Sequence, residues 1–317
     1  MNAIVRSFKD GVARILFPTE SDQWLSVLRV GLGLQVALYA VLARRDWLEL
    51  FGSHGYGLLN RKLTEDVLSV QSPFAPKLGW LISVANHLRI DETITLWFVW
   101  LCLFVVGGCL ILGIFSRSAA VIAWLLHLCT VKSEEFLTYG VDNFTTIGLF
   151  YLMLSPLPDQ LSLDWRWRNL RSHDRDFLGF FRRALQVHLC INYFFGGIMK
   201  SLGVEWWNGT SIWRVLISPP FNVLSPQLLV HWKYLFQFAG IFVCAIETGY
   251  PLFIWFKKTR LLWLACICTI HFMIAVTMGL YLFSLVMITL NLAAFAPFRV
   301  PGWAYETDVG VNDDSDG

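Results

Sequence analysis

Ile94-Thr-Leu-Trp-Phe-Val-Trp-Leu-Cys-Leu-Phe-Val-Val-Gly-Gly-Cys-Leu-Ile-Leu-Gly-Ile-Phe115 runs for 22 residues without a charged side chain. A helix of that length crosses the roughly 30 Å hydrocarbon core of a bilayer, and it offers no polar face to water. Comparable runs occupy 24–43, 118–132, 141–156, 183–200, 234–256, 260–278 and 280–296, the third and fourth of the series being short. The pattern predicts an all-α fold, a polytopic transmembrane helical bundle of about eight spans. Composition agrees: 56% of the 317 residues are hydrophobic and 15% charged, against about 25% charged in an ordinary soluble domain. Mean hydropathy is +0.55. These values argue against a water-soluble enzyme and a disordered chain. A net charge of +2, from 25 Lys+Arg and 23 Asp+Glu, argues against a nucleic-acid binder.

Outward from the spans, residues 1–20 read as an interfacial amphipathic helix. Ile4, Phe8, Val12, Ile15 and Leu16 recur at helical spacing beside Arg6, Lys9 and Arg14, and Pro18 ends the pattern. Residues 21–300 form the transmembrane domain, and 301–317 an acidic tail without core-forming residues, expected to be disordered. With eight spans, 14 Lys and Arg fall on the side of the two termini and 9 on the other, with Arg29 and Lys200 inside spans. The positive-inside rule then places both termini in the cytoplasm of a cell (plasma or inner) membrane. Two connections on the outer side are long. One carries a helix over Lys77–Ile90 with Leu78, Leu81, Ile82, Ala85 and Leu88 as its apolar stripe; the other, 201–233, carries Trp206, Trp207, Trp213 and Trp232 as an aromatic belt.

The seven cysteines all lie in apolar runs, and no Cys or His spacing suits a metal, so no metal is expected. The informative residues are polar groups inside the spans, because a charge near mid-bilayer costs at least about 2.5–3.5 kcal/mol. They are Arg29, Asp142, Asn143, Gln186, His188, Asn192, Lys200, Glu247, His271 and Asn291. Gln186, Tyr193 and Lys200 are seven apart and share one helix face with Gly197, where a second helix or a ligand can come close. Lys200 then has two readings: a lysine that snorkels to the headgroups and anchors its helix, or a partly desolvated amine that acts as a base. Depth along the spans puts Asp142, Asn143, Lys200 and His271 toward the outer side, where they are expected to line one cavity. Arg29 and Glu247 fall toward the inner half, where ion pairing with each other or with neighbouring helices is expected.

Tyr193-Phe-Phe-Gly-Gly-Ile-Met-Lys200, followed by Glu205-Trp206-Trp207 and Gly209, resembles the corresponding helix of vitamin K-dependent gamma-carboxylases. More broadly, the chain resembles the HTTM family, named for its horizontally transferred transmembrane domain. Leu28-Arg29-Val-Gly-Leu-Gly-Leu, Tyr139-Gly-Val-Asp142-Asn143-Phe, Ser155-Pro156 with Ser162-Leu-Asp164, Glu247-Thr-Gly-Tyr-Pro251, and His271-Phe with Asn291 to Pro297 extend the resemblance from about 22 to 300. It implies that Lys200 occupies the position of the base that deprotonates the hydroquinone. Asp142, Asn143 and His271 would assist it, and Tyr193, Gly197, Trp206 and Trp207 would line the site of a quinol. Two features depart from the carboxylases. Asp142-Asn143-Phe144 stands where they carry an Asn-His pair, and the sequence reaches only Gly317 after a last span ending at 296, where they carry a large soluble domain.

Two functions follow. One is a gamma-carboxylase-like membrane enzyme that takes a lipid quinol or similar apolar small molecule laterally from the bilayer. The other is a non-enzymatic accessory module acting on a peptide partner in toxin maturation, export or immunity, as short HTTM proteins resemble the membrane component of sporulation-delaying toxin maturation. A transporter is disfavoured, since no inverted repeat or pair of broken helices is evident.

Overall fold

The computed structural model describes residues 16–53, 60–134, 136–168 and 175–298. The acidic tail and most of the N-terminal amphipathic segment lie outside these residues. The described chain is helical, with no strand. Eight helices of 15 residues or more carry the architecture: α1 (Gln23–Ala43), α2 (Glu92–Leu112), α3 (Ser116–Ser133), α4 (Gly140–Leu154), α5 (Arg175–Ser201), α6 (Lys233–Phe253), α7 (Arg260–Met278) and α8 (Tyr281–Phe295). Four stretches among them, Gln23–Ala43, Glu92–Leu112, Tyr234–Phe253 and Arg260–Met278, are long and apolar enough to cross a membrane. The 15-residue α4 and α8 extend only about 22 Å as helices, less than the hydrocarbon thickness.

What identifies the membrane is the outward-facing surface. On α2, Leu96, Val99, Leu103, Val106 and Leu110 are buried, while Ile94, Phe98, Leu101, Val105 and Leu112 are exposed. Both faces of the helix are therefore apolar, a pattern that water would penalise and lipid accepts. On α7, Leu261, Leu262, Phe272, Met273 and Val276 are exposed in the same way. The chain is a membrane protein.

Small residues set the closest approaches. A Cβ on Gly33 of α1 would lie 2.9 Å from the Gly107 carbonyl oxygen, and one on Gly107 would lie 2.7 Å from the Ala37 nitrogen. Only glycine on both sides lets α1 and α2 meet backbone to backbone. Gly113 ends α2 at φ +72° and donates its N–H to the Cys109 carbonyl at 2.8 Å. That left-handed cap turns the chain under Arg29.

Polar side chains tie the helix ends at that side of the bundle. Arg29 is fully buried and pairs with Asp159 at 2.5 Å, while also donating to the carbonyls of Leu110 and Ile111. Ser26 donates to the same Asp159 carboxylate. The expected partner of Arg29 in the inner half was Glu247 or a neighbouring helix; the partner is instead a carboxylate in the loop after α4. Asp164 accepts from the backbone N–H of Phe115 and Ser116 at 3.0 and 2.7 Å and so caps α3. Arg182 of α5 pairs with Glu20 at 2.5 Å and donates to the carbonyls of Ala293, Ala294 and Ala296. A cation there also complements the negative end of α8.

At the opposite end, short helices Trp47–Phe51, Arg61–Gln71 and Leu78–His87 cover α2 and α3. The last of these realises the helix expected over Lys77–Ile90, with Leu78, Ile82 and Ala85 turned inward. Arg61 holds the cover together, reaching Glu65 at 3.0 Å, Glu92 at 2.8 Å and the Phe51 carbonyl at 2.6 Å.

Candidate functional site

Lys200 is the second-last residue of α5, and its position is set by two glycines. A Cβ on Gly197 would stand 2.5 Å from the Thr248 nitrogen, so the α6 backbone occupies the space that Gly197 leaves. Gly197 thus serves a helix contact. Gly196, one residue earlier, is different: among the described residues a Cβ there would meet only Glu247 Oε2 at 3.4 Å and Lys200 Nζ at 3.6 Å, with no backbone closing over it.

The approach at Gly197 brings Lys200 Nζ to 2.5 Å from Glu247 Oε2. Its side chain is 29% exposed, while that of Glu247 is 9% exposed. The Lys200 ammonium also lies 5.6 Å from the centre of the Trp206 ring, within cation–π range. Glu247 was expected in the inner half, apart from Lys200; the structure puts the two at one level. The reason is the return path of the chain. After α5 the backbone turns at Gly203, and Trp206 packs its carbonyl against Gly240. Gly209, at φ +79°, then fits against Phe236 and Gln237. The connection climbs back along α6, so Lys200 sits level with Glu247, 14 residues or about 21 Å along α6 from Lys233.

A second set of polar groups adjoins this pair. Tyr250 donates its hydroxyl to Asn291 Oδ1 at 2.6 Å, and Asn291 Nδ2 donates to the Tyr193 hydroxyl oxygen at 2.7 Å. Tyr193 in turn lies 2.8 Å from His271 Nε2. With Asn291 so oriented, the Tyr193 proton points to Nε2, and a neutral His271 carries its own proton on Nδ1. That nitrogen is buried and has no partner among the described residues. Lys200 lies within electrostatic range of His271, and Glu247 within range of Tyr193. The structure therefore brings Lys200, Tyr193, His271 and Trp206 together and adds Glu247, Asn291 and Tyr250.

Asp142 and Asn143 stand elsewhere. Asp142 is buried at the start of α4 and accepts from the Tyr139 N–H at 3.0 Å, closing a capping box. Its electrostatic neighbours are Glu134 and Tyr39. Tyr39 donates to Glu134 at 3.2 Å. Glu134, in the connection between α3 and α4, has its carboxyl pushed up to about 8 by burial first and by the Asp142 charge second. Phe283 stands between the two clusters, 6.2 Å from Phe144 and 5.6 Å from His271, ring to ring. Asn143 is exposed. Trp207 is also largely exposed and donates to the Ser201 carbonyl at 2.7 Å, which makes it a brace for the turn after α5.

Tyr250 is a site residue that sequence reasoning missed. Its signal was present: the same helix face carries Glu247, three residues earlier. Among the described residues no group of three His, Cys, Asp or Glu could hold a metal ion. Comparison of the chain with protein-family models, with curated proteins and with solved structures finds no match.

Proposed function

We propose that the chain is an eight-span membrane protein in which Lys200 and Glu247 form a proton-accepting site for an apolar substrate bearing an acidic hydroxyl. In this reading α3, α4, α5 and α8 cross the membrane with the four longer apolar stretches, and both termini face the cytoplasm. Lys200 then lies level with Glu247, about 21 Å along α6 from its outer end.

The observation that carries the reading is the 2.5 Å Lys200–Glu247 pair beside the uncovered face of Gly196. Transfer from Nζ to Oε2 gives a neutral amine and a carboxylic acid. The amine then takes the hydroxyl proton of the substrate: the O–H bond breaks, an N–H bond forms, and the new ammonium faces the substrate oxyanion. Trp206 supplies an aromatic wall, and the His271 Nδ1 proton supplies a donor for a second oxygen of the substrate. These residues fit a hydroquinone, the substrate class implied by the likeness of Tyr193–Lys200 to the gamma-carboxylase helix. When bound, the hydroquinone would supply the acidic hydroxyl.

One observation favours the accessory-module reading. Lys200 already has a carboxylate and an aromatic ring as partners, which suits a lock between α5 and α6. Thermal stabilisation by an apolar hydroquinone separates the two. A proton-accepting site predicts that the ligand raises Tm in the wild-type protein and not in Lys200→Met or Trp206→Ala. Equal shifts in all three proteins would remove the site, and the lock would remain.

A further inference from the structure

A groove of about 510 Å³ lies against the first half of α5, far along the helix from Lys200, and is lined by Tyr151, Phe180, Arg183, Val187, His188 and Ile191. Its size falls within the roughly 300–1,000 Å³ of small-molecule clefts. Arg183, Val187 and Ile191 are spaced by four residues, so they form one stripe that runs about 12 Å up the helix. The cation is at the bottom of this stripe, at the end of the bundle where Arg182 binds the last carbonyls of α8. The apolar residues lie above it, toward the middle of the bundle. Tyr151 and His188, 3.2 Å apart, form a polar step in the wall.

Arg183 is held but not neutralised. Its guanidinium stacks 4.7 Å from the centre of the Trp255 ring, and Nη1 donates to Gln186 Oε1 at 3.0 Å. Nε is buried without a partner among the described residues. Its charged neighbours are Glu20, Arg182 and Arg260, and Glu20 is bound directly to Arg182 at 2.5 Å. Among the described residues, Arg182, Arg183 and Arg260 thus neighbour one carboxylate, Glu20, an excess of positive charge, and of the three it is Arg183 that lines the groove.

We infer that this groove binds an anionic phospholipid, with the phosphate at Arg183 and one acyl chain along Val187, Ile191 and Phe180. The charge excess selects the anionic headgroup, since a zwitterionic lipid brings a compensating cation. The apolar stripe selects a lipid over free phosphate. This inference rests on the protein's residence in a membrane and is independent of the chemistry at Lys200.

The test is native mass spectrometry of the full chain in detergent, with dioleoyl-phosphatidylglycerol or dioleoyl-phosphatidylcholine added at equal concentration. One phosphatidylglycerol is expected to remain bound where phosphatidylcholine is lost. Arg183→Gln is expected to reduce that occupancy about fivefold, the effect of roughly one basic side chain at an anionic headgroup. Val187→Trp fills the groove while keeping Arg183; it is expected to remove bound phosphatidylglycerol even if Arg183→Gln fails to fold. Equal retention of the two lipids by the wild type would overturn the inference. So would unchanged phosphatidylglycerol occupancy in Val187→Trp, or displacement of the lipid by inorganic phosphate.

Discussion

A double-mutant cycle on Lys200 and Glu247 turns the geometry of the pair into energies. In Lys200→Met the Glu247 carboxylate, 9% exposed, loses its counter-charge. Leaving one member of an enclosed pair alone costs about 3 kcal/mol, at the low end because the partner position is partly open. In Glu247→Gln the remaining ammonium is better placed. It is 29% exposed and keeps the Trp206 face, a contact of about 0.5–1 kcal/mol, so the cost is about 1–2 kcal/mol. Independent effects would sum to roughly 4–5 kcal/mol. The double variant Lys200→Met/Glu247→Gln leaves no unpaired charge, and its cost should be about 1–2 kcal/mol, a coupling of about 3 kcal/mol. The assay is unfolding of the purified protein in mixed micelles, followed by loss of helical circular dichroism. The penalty of Lys200→Met should also shrink at low pH, because a protonated Glu247 carries no charge. Additivity within about 0.5 kcal/mol would refute the pairing.

Gly197→Ala should push α6 away from α5, since the new methyl would lie 2.5 Å from the Thr248 nitrogen; lower Tm is expected, whereas Gly196→Ala, with nothing nearer than 3.4 Å, should keep the wild-type Tm. Arg29→Met leaves Asp159 buried without its cation and should cost about 3–5 kcal/mol, read by the same unfolding assay. For Glu134 the folded carboxyl is raised to about 8 from 4.5, so the protonated form is favoured by folding. Its contribution to stability is full below about pH 4.5 and is lost as pH rises through 8. Glu134→Gln should flatten Tm against pH over that window, and an unchanged slope would count against the buried carboxyl.

Helix positions were legible because hydrocarbon thickness and apolar run length constrain each other. The run at 260–278 coincides with α7, and 24–43 differs from α1 by one residue. The larger error is at α5, which begins at Arg175 rather than 183. Its first turns carry Phe177, Phe180 and Phe181 beside charged residues, and they pack on Phe17 and on one another. A uniform apolar run is the wrong signal for such an amphipathic start.

The site was legible in its members and not in its pairing. Lys200, Tyr193 and His271 stand out because polar groups in spans are costly. Lys200 and Glu247 were placed at different levels by treating the end of α5 and the start of α6 as level, whereas the end of α5 lies beside Glu247, 14 residues into α6. The 202–232 connection packs back along α6, and only the close contacts of Trp206 with Gly240 and of Gly209 with Gln237 show it. Asp142 failed to join the site for a related reason. Its carboxylate is spent on the Tyr139 N–H, and Phe283 fills the space toward His271.

In the proposed function Lys200 takes a proton from an apolar hydroxyl within the membrane. The most direct measurement is the anaerobic ultraviolet difference spectrum of an apolar hydroquinone bound to the protein in lipid nanodiscs at neutral pH. The hydroquinone anion band should be present with the wild-type protein and absent with Lys200→Met. An anion band of equal size in both proteins, or none in the wild type with ligand bound, would exclude that proton transfer.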